Sequence, residues 1–134
     1  MAGLGTIKRI YIKAINTMVE KYDCNVSDII VCIGPSIRDC CFTSQEESFK
    51  QKFTDVWKEE EEYIYYDNKV ADKFHIDLVY ILKKDLINRG LKDTNIVIAN
   101  ICTRCNFSDF FSNRYFKQNE YKDFGTFATI AYLS

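Results

Sequence analysis

Apolar residues recur along three parts of the chain at steps of three and four, the spacing of one helical face. The first part runs from Thr6 to Tyr22, and the Thr6 hydroxyl is a candidate N-cap. A second begins at Ser44, where Ser-Gln-Glu-Glu matches the capping-box pattern. A third covers residues 76–89 and is followed by Gly90, a residue suited to a helix C-cap. The pattern therefore predicts three amphipathic helices.

Short apolar runs rich in β-branched residues follow two of these helices. Residues 29–33 and 95–101 each come after a polar turn, as expected of strands covered on both faces. Residues 63–66 predict a strand or an ordered connection, and residues 126–133 predict a closing strand. Because helix, turn and strand occur twice in the same order, we predict an α/β (α+β) fold with two parallel strands that end at one edge. Open α/β sheets tend to bind ligands at that edge.

A cysteine-containing loop follows each of the two predicted parallel strands. The first loop contains the only proline, Pro35, and the vicinal pair Cys40 and Cys41, and the second contains Cys-Thr-Arg-Cys from Cys102 to Cys105. The glycine before Pro35 and the fixed φ of proline predict a stiff turn after the strand. Loops on a rigid scaffold often carry function, whereas small buried hydrophobic residues at a strand end are the alternative interpretation.

Spacing along the chain does not predict a metal site. One Cys-x-x-Cys motif supplies two ligands, and a vicinal pair departs from the usual spacing of structural zinc sites. No helical pattern follows Cys102, which disfavours a thioredoxin-like redox pair. The single histidine, His75, has no nearby carboxylate or cysteine pattern that would orient it. We therefore expect little bound zinc or copper and six free cysteines, most of them buried and slow to react.

Composition favours one globular domain of 134 residues and disfavours several classes of protein. A formal net charge of -1 provides no basic surplus for nucleic acid. No apolar run is long enough for a membrane span, and the start lacks the features of a secretory signal. We expect a cytoplasmic protein with reduced thiols. The start, with Gly3 and Gly5, predicts either a phosphate-binding loop or a flexible terminus.

An aromatic pair, a hydroxyl group and a guanidinium occur together near the end of the chain, in Phe-Phe-Ser-Asn-Arg at residues 110–114. Arg114 is suited to bind a phosphate or a carboxylate with two parallel hydrogen bonds. The alternative is that Arg114 is a solvated surface charge.

Taken in order, several motifs resemble the C-terminal half of the laccase-domain family, first described as multicopper polyphenol oxidases and now as purine nucleoside phosphorylases. They are Gly-Pro-Ser-Ile from Gly34, Cys-Cys-Phe from Cys40, His-Ile-Asp-Leu from His75, Cys-Thr from Cys102, and Phe-Phe-Ser-Asn-Arg ending at Arg114. The resemblance implies a layered α/β/β/α domain with mixed sheets. It also implies that residues 1–134 form a single but incomplete domain, with the N-terminal half of the family absent.

The resemblance further implies phosphorolysis of adenosine, inosine and methylthioadenosine, with adenosine deaminase activity, and so a purine nucleoside and phosphate as partners. The family's zinc or copper site, made by two histidines and a cysteine, cannot be carried onto this sequence. Met1 stands where the second histidine would be, and the other two ligands lie upstream. We therefore expect no catalytic residue, metal ligand or cofactor in this chain alone. The residues expected to line the remaining substrate edge are Gly34, Pro35, Ser36, Cys41, Cys102 and Arg114.

Three functional interpretations remain open at this point. The chain is a truncated phosphorylase that is inactive alone, or it is a non-catalytic remnant or a subunit completed by a partner chain that supplies the missing half. The third interpretation, a cysteine hydrolase using Cys40 or Cys41, lacks a matching base because His75 belongs to a different motif.

Overall fold

Helices and short strands alternate along the chain in a computed structural model, which describes residues 2–122, 125–128 and 130. The helices are α1 (Ala2–Ile7), α2 (Ile10–Tyr22), α3 (Glu47–Thr54), α4 (Leu78–Arg89) and α5 (Asn113–Gln118). The strands are β1 (Val31–Ile33), β2 (Thr43–Ser44), β3 (Ile64–Tyr66), β4 (Phe74–Ile76) and β5 (Ile96–Ile98). Among these helices, none combines the length and apolar character needed to cross a bilayer.

The strands form one parallel and one antiparallel sheet. β1 pairs with β5 in parallel, with Val31 opposite Ile96 and Ile33 opposite Ile98. The second sheet has the order β2-β4-β3, and both of its pairings are antiparallel. The predicted α/β class with both kinds of sheet is confirmed. The predicted parallel pairing of the two repeated strands is confirmed as well.

Helix α4 joins the two parts of the hydrophobic core. Its N-terminal half contributes Leu78 and Ile81 to a cluster with the antiparallel sheet and α3. Its C-terminal half contributes Leu86 to a cluster with α2 and the parallel sheet. Burying one such side chain contributes about 1.5–3 kcal/mol, so both sheets depend on packing against this single helix.

The buried carboxylate of Asp85, on α4, is a polar junction between several elements. It accepts hydrogen bonds from Arg9 Nε (2.9 Å), Tyr11 Oη (2.6 Å) and Trp57 Nε1 (3.1 Å). Arg9 precedes α2, Tyr11 lies within it, and Trp57 follows α3. Burial, and then the bond to Asp85, raise the pKa of Tyr11, which therefore stays a neutral donor. Asp85 thereby satisfies three donors whose positions it also fixes.

The first predicted helix is wrong at its start. The chain forms two helices, α1 and α2, separated by a break at which Arg9 has left-handed φ 49 and ψ 43. Thr6 lies buried inside α1 and is not an N-cap, and the glycine-rich start is itself helical. A Cβ at Gly3 would lie 3.0 Å from Phe42 Cζ. Close packing on Phe42 thus overrides the weak helix propensity of glycine.

Two other predicted helix starts are also wrong. Ser44 belongs to β2, and its Oγ accepts from the N–H of Glu46, the residue before α3 (3.1 Å). Residue 76, the predicted start of the third helix, belongs to β4. Helix α4 therefore begins at Leu78, and its N-cap is Asp77, whose side chain accepts from two backbone N–H groups. Both starts shift because the preceding residues pair in a sheet, which local sequence patterns do not reveal.

The helix end at Gly90 is confirmed, and the other predicted boundaries differ. Gly90 has φ 108, and its N–H bonds to the last turn of α4. The parallel strands are shorter than predicted, and residues 63–66 do contain a strand, β3. Residues 126–128 and 130 have no regular structure, and the rest of the predicted closing strand lies outside the described residues.

Replacing Asp85 with alanine should destabilise the fold by on the order of 3 kcal/mol, because donors with little access to water lose their acceptor. Chemical denaturation followed by circular dichroism measures the change. The matched control is Asp93→Ala, which removes a carboxylate from an exposed ion pair with Lys83 and should cost less than about 1 kcal/mol. Equal losses in the two variants would contradict the role given to Asp85.

Candidate functional site

An open cleft of about 740 Å³ lies beside the loop that follows β1. Its walls come from α1, the loop at residues 35–37, α3, Thr103 and the segment around α5. Four phenylalanines contribute apolar surface: Phe42, Phe49, Phe111 and Phe127. A mostly apolar cleft of this size with a few polar groups is typical of small-molecule sites.

The charged side chains that line the cleft are all positive. Lys52, Arg114 and Lys117 line it, and no acidic residue does so among the described lining residues. Arg114 Nη1 donates to the backbone oxygen of Thr43 at 3.1 Å, which fixes the guanidinium against β2. Asn113 Oδ1 is buried and has no hydrogen-bond partner within the part of the chain that the structure describes. The cleft therefore offers cations to a ligand.

A second cavity, of about 410 Å³, lies on the other side of the same loop. Gly34, Pro35 and Ser36 line it together with α2 and the start of α4. Gly34 has no left-handed φ, so its conformational freedom is not what shapes this turn. The loop is fixed instead by Ser36, whose N–H donates to Ile101 O and whose carbonyl accepts from Thr103 N, both at 3.1 Å.

Four cysteines from the two loops meet at the carboxyl edge of the parallel sheet. The Sγ atoms of Cys40, Cys41, Cys102 and Cys105, the cysteine cluster, all lie within 4.8 Å of one another. The Sγ atom of Cys105 lies 3.7 Å from that of Cys40 and 3.5 Å from that of Cys41. The argument from sequence spacing considered each loop separately, whereas the predicted pairing of β1 with β5 brings the cysteines of both loops together.

The thiols of the cluster differ in acidity. The pKa of Cys40 is raised, first by burial and then by its contacts with Cys102 and Cys105. Burial, followed by the contact with Cys105, raises the pKa of Cys41 to about 12. Burial also acts to raise the pKa of Cys102. Backbone N–H groups of Arg38, Cys105 and Arg104 outweigh it and lower that pKa to about 7. Cys102 therefore ionises more readily than Cys40 or Cys41.

The prediction that most cysteines are buried is wrong. All six are free, and only Cys102 is buried. Cys32, Cys40 and Cys105 are exposed, while Cys24 and Cys41 are half-buried. The difference arises because residue 32 lies on the uncovered face of the parallel sheet and residues 40 and 105 lie on exposed loops.

His75 lies in β4 and holds the first cysteine loop against the antiparallel sheet. Its Nδ1 donates to the backbone oxygen of Asp39 at 2.9 Å, and its Nε2 lies 3.2 Å from Asp67 Oδ2. Its ring also stacks on Tyr65, with centroids 4.6 Å apart. The expectation that His75 has no carboxylate partner is therefore wrong, because the turn between β3 and β4 brings Asp67 back to it.

The metal site implied by the family resemblance does not fit this chain. That site needs two histidines and a cysteine, and this sequence has one histidine. Both ring nitrogens of His75 already contact other groups. The cysteine cluster consists of four cysteines and includes no histidine. The chain therefore cannot build that ligand set from its own residues.

The structure divides the six residues that the sequence analysis selected among three places. Pro35, Ser36 and Arg114 line the main cleft, and Gly34 lines the second cavity. Cys41 and Cys102 lie in the cysteine cluster, although Thr103, next to Cys102, lines the cleft.

The sequence analysis did not select several lining residues. Asn113 belongs to the Phe-Phe-Ser-Asn-Arg motif, so that motif carried a signal for it. Lys52 and Lys117 lie on helices and have no such signal in the sequence.

Replacing Asp67 with asparagine should destabilise the protein at neutral pH and progressively less as the pH falls. The N–H of Lys69, then Lys73 and His75, hold the pKa of Asp67 far below its ordinary value of 3.8. The stabilisation is complete above that value and is lost as the pH falls towards the lowered pKa. Melting temperatures between pH 7 and pH 3 measure this, with Asp72→Asn as an equally charged control in the same turn. A difference from wild type that does not depend on pH would contradict the prediction.

Comparison with known proteins identifies a family and several relatives of this chain. Residues 2–134 match the model of the family described as multi-copper polyphenol oxidoreductase laccase. The human protein named purine nucleoside phosphorylase LACC1 is 28% identical over 109 residues, which are 81% of this chain and 25% of that protein. A protein from an unknown prokaryotic organism, named adenosine deaminase RL5, is 32% identical over 113 residues, which are 82% of this chain and 41% of RL5.

A solved structure shares the fold. The crystal structure of Bacillus licheniformis hypothetical protein YfiH superimposes with a TM-score of 0.73 at 24% identity, covering 84% of this chain and 42% of that one. The chain thus spans less than half the length of the proteins it matches. The resemblance seen in the loop motifs is confirmed, and because the match covers residues 2–134, the chain belongs to the multi-copper polyphenol oxidoreductase laccase family.

Proposed function

We propose that the main cleft binds a purine nucleoside and phosphate, and that the chain forms part of a purine nucleoside phosphorylase site. The observation that carries this proposal is the combination of aromatic walls with three cations and no carboxylate among the described lining residues. Relatives named purine nucleoside phosphorylase and adenosine deaminase support a substrate of this class.

The aromatic side chains suit the base of a nucleoside. Phe111 and Phe127 line the cleft and are about half exposed, at 48% and 46%, so a ligand that stacks on them removes apolar surface from water. A flat purine gains from both this burial and ring stacking.

Arg114 suits the phosphate. Its Nη1 is engaged by Thr43 O, which orients the guanidinium and leaves its other N–H groups for an anion. Lys52 and Lys117 add charge along the same cleft. In phosphorolysis, a phosphate oxygen attacks the anomeric carbon of the ribose and the bond to the purine nitrogen breaks. The cations hold the attacking anion in place and offset its charge.

The chain alone does not complete the reaction in this proposal. The described residues that line the cleft include no histidine and no carboxylic acid, and the family's two-histidine metal site cannot form from one histidine. The 134-residue chain should therefore show no turnover by itself. Its free thiols fit the reducing conditions of the cytoplasm, where we propose that it acts.

One face of the parallel sheet is suited to bind a partner segment. That segment would be equivalent to the part of the relatives that this chain does not cover. Parallel sheets are normally covered on both faces. Here Ile30 is 68% exposed and Val97 is 55% exposed, and the exposed Cys32 lies directly opposite Val97 in the pairing. We propose that this face, with the cleft edge, docks the upstream half of the family domain, supplied in the same or in another chain.

Replacing Arg114 with alanine should weaken phosphate binding by about tenfold or more, because a charge-assisted hydrogen bond contributes about 1.5–3 kcal/mol. Phosphorus NMR titration of the chain with inorganic phosphate measures the affinity. Lys58→Ala removes an exposed cation outside the cleft and should leave the affinity unchanged. Equal affinity in wild type and Arg114→Ala would contradict the assigned role.

Mixing the chain with the upstream half of a relative such as RL5 should produce a stable complex and phosphate-dependent cleavage of inosine, adenosine or methylthioadenosine. Val97→Asp should prevent the complex because it places a charge on the docking face. Gel filtration and product analysis follow the two outcomes. A complex without cleavage favours a non-catalytic subunit, and turnover by the chain alone contradicts the incomplete site.

A further inference from the structure

The cysteine cluster has the dimensions of a metal site. In a tetrahedral zinc site with Zn–S bonds of about 2.3 Å, neighbouring sulfur atoms are about 3.8 Å apart. The separations from Cys40 Sγ are 3.9 Å to Cys41 Sγ and 3.7 Å to Cys105 Sγ, and Cys41 and Cys105 are 3.5 Å apart. All four sulfur atoms lie within 4.8 Å of one another, so small movements suffice to surround one ion.

The backbone holds these thiols in place without an ion. The pairing of β1 with β5 continues into an isolated parallel bridge between Ser36 and Cys102. Cys41 N–H donates to Arg38 O at 2.9 Å, which turns the first loop towards the second. Asn106 Nδ2 donates to Cys102 O at 2.9 Å and holds the second loop. Ligands fixed by other contacts lose little entropy on binding a metal.

The cluster is better suited to a metal than to a disulfide. Cys40 and Cys41 are consecutive, so their Cα atoms are about 3.8 Å apart, below the usual range of about 4.4–6.8 Å for a disulfide. A single disulfide from Cys105 to either one would use only two of the four thiols. A tetrahedral set of four sulfur ligands is typical of zinc or iron–sulfur centres. Four protein ligands close the coordination sphere, which is the arrangement of structural zinc sites.

We propose that the cysteine cluster is a structural zinc site, in which four thiolates bind one Zn²⁺ and cross-link the loops that follow β1 and β5. Each thiol that binds gives its proton to the solvent, and no electron is transferred. The complex carries two net negative charges.

This site differs in ligands and in purpose from the two-histidine site that the resemblance implies. It contains no histidine and has no open coordination position for a substrate or water. Its effect on the cleft is indirect, because the first loop carries Pro35 and Ser36 and the second carries Thr103, all of which line the cleft. Zinc would hold these two walls at a fixed separation. This proposal is the opposite of the sequence-based expectation of little bound zinc, and the metal content of the protein decides between them.

Metal content of the purified chain tests the proposal without any nucleoside, so its outcome is independent of the proposed phosphorylase activity. The protein is expressed with zinc in the medium and purified without chelator. Its metal content is then measured by elemental mass spectrometry. We expect about one zinc per chain. Loading of zinc-free, reduced wild type against a competing chelator gives the affinity. Reduced wild type that takes up no zinc would overturn the proposal.

Substitution of single cysteines tests the ligand set. Cys105→Ser should weaken zinc binding by at least about a hundredfold, since even changes to outer partners of metal ligands cost about 10–100-fold. Cys32→Ser is the matched control, because Cys32 is an exposed cysteine of β1 outside the cluster, and it should bind zinc like wild type. Equal losses in the two variants would overturn the assignment. Should Cys105→Ser not fold, the zinc titration of wild type still decides.

Cobalt spectroscopy, metal content and the intact mass of the chain distinguish a zinc site from another metal or a disulfide. Co²⁺ added to the zinc-free wild type should give the intense visible bands of a tetrahedral site and thiolate-to-cobalt charge transfer, both removed by added zinc. Octahedral cobalt without thiolate bands would overturn the geometry. A purified chain with stoichiometric iron or copper would overturn the choice of zinc. A native chain lighter by two hydrogen atoms, and unable to bind zinc until reduced, would show a disulfide instead.

Discussion

The parallel pairing of β1 with β5 is the constraint on which the rest of this structure depends. It sets Ile33 opposite Ile98 and continues beyond the strands, where Ser36 bonds to Ile101 and Thr103. Two loops about 65 residues apart in sequence therefore leave the sheet side by side, as the Cys40–Cys105 contact shows. Each loop contributes one wall of the main cleft and two members of the cysteine cluster.

Helix α4 supports this pairing by packing against the parallel sheet. Its apolar side chains pack against both sheets, and its buried Asp85 gathers donors from the start of α2 and the end of α3. A buried carboxylate costs free energy unless hydrogen bonds satisfy it, and three donors do so here. The same bonds hold α1 and α3 beside the cleft that they line. Core packing and site geometry thus depend on one helix.

The cleft and the cysteine cluster have different chemistry although they share two loops. The cleft presents aromatic surface and cations, which suit a flat base with an anion. The cluster presents soft sulfur ligands, which suit zinc more than they suit the hard oxygen-binding cations. The chain also exposes an apolar sheet face at Ile30 and Val97 and spans less than half of its relatives. We propose that these features together belong to a structural half with its own metal site and an incomplete reaction centre.

The sequence by itself determined the repeated helix–strand–loop order, the parallel pairing and the helix end at Gly90. These follow from periodicity and from the φ that glycine tolerates, both of which are local properties. The loop motifs also determined the family. Tertiary structure decided the helix starts, because β2 and β4 take residues that local patterns assign to helices. It also decided that Gly3 packs on Phe42, that Asp67 reaches His75, and that four cysteines converge. Each of these contacts joins residues distant in sequence, and no local pattern encodes the distance between them.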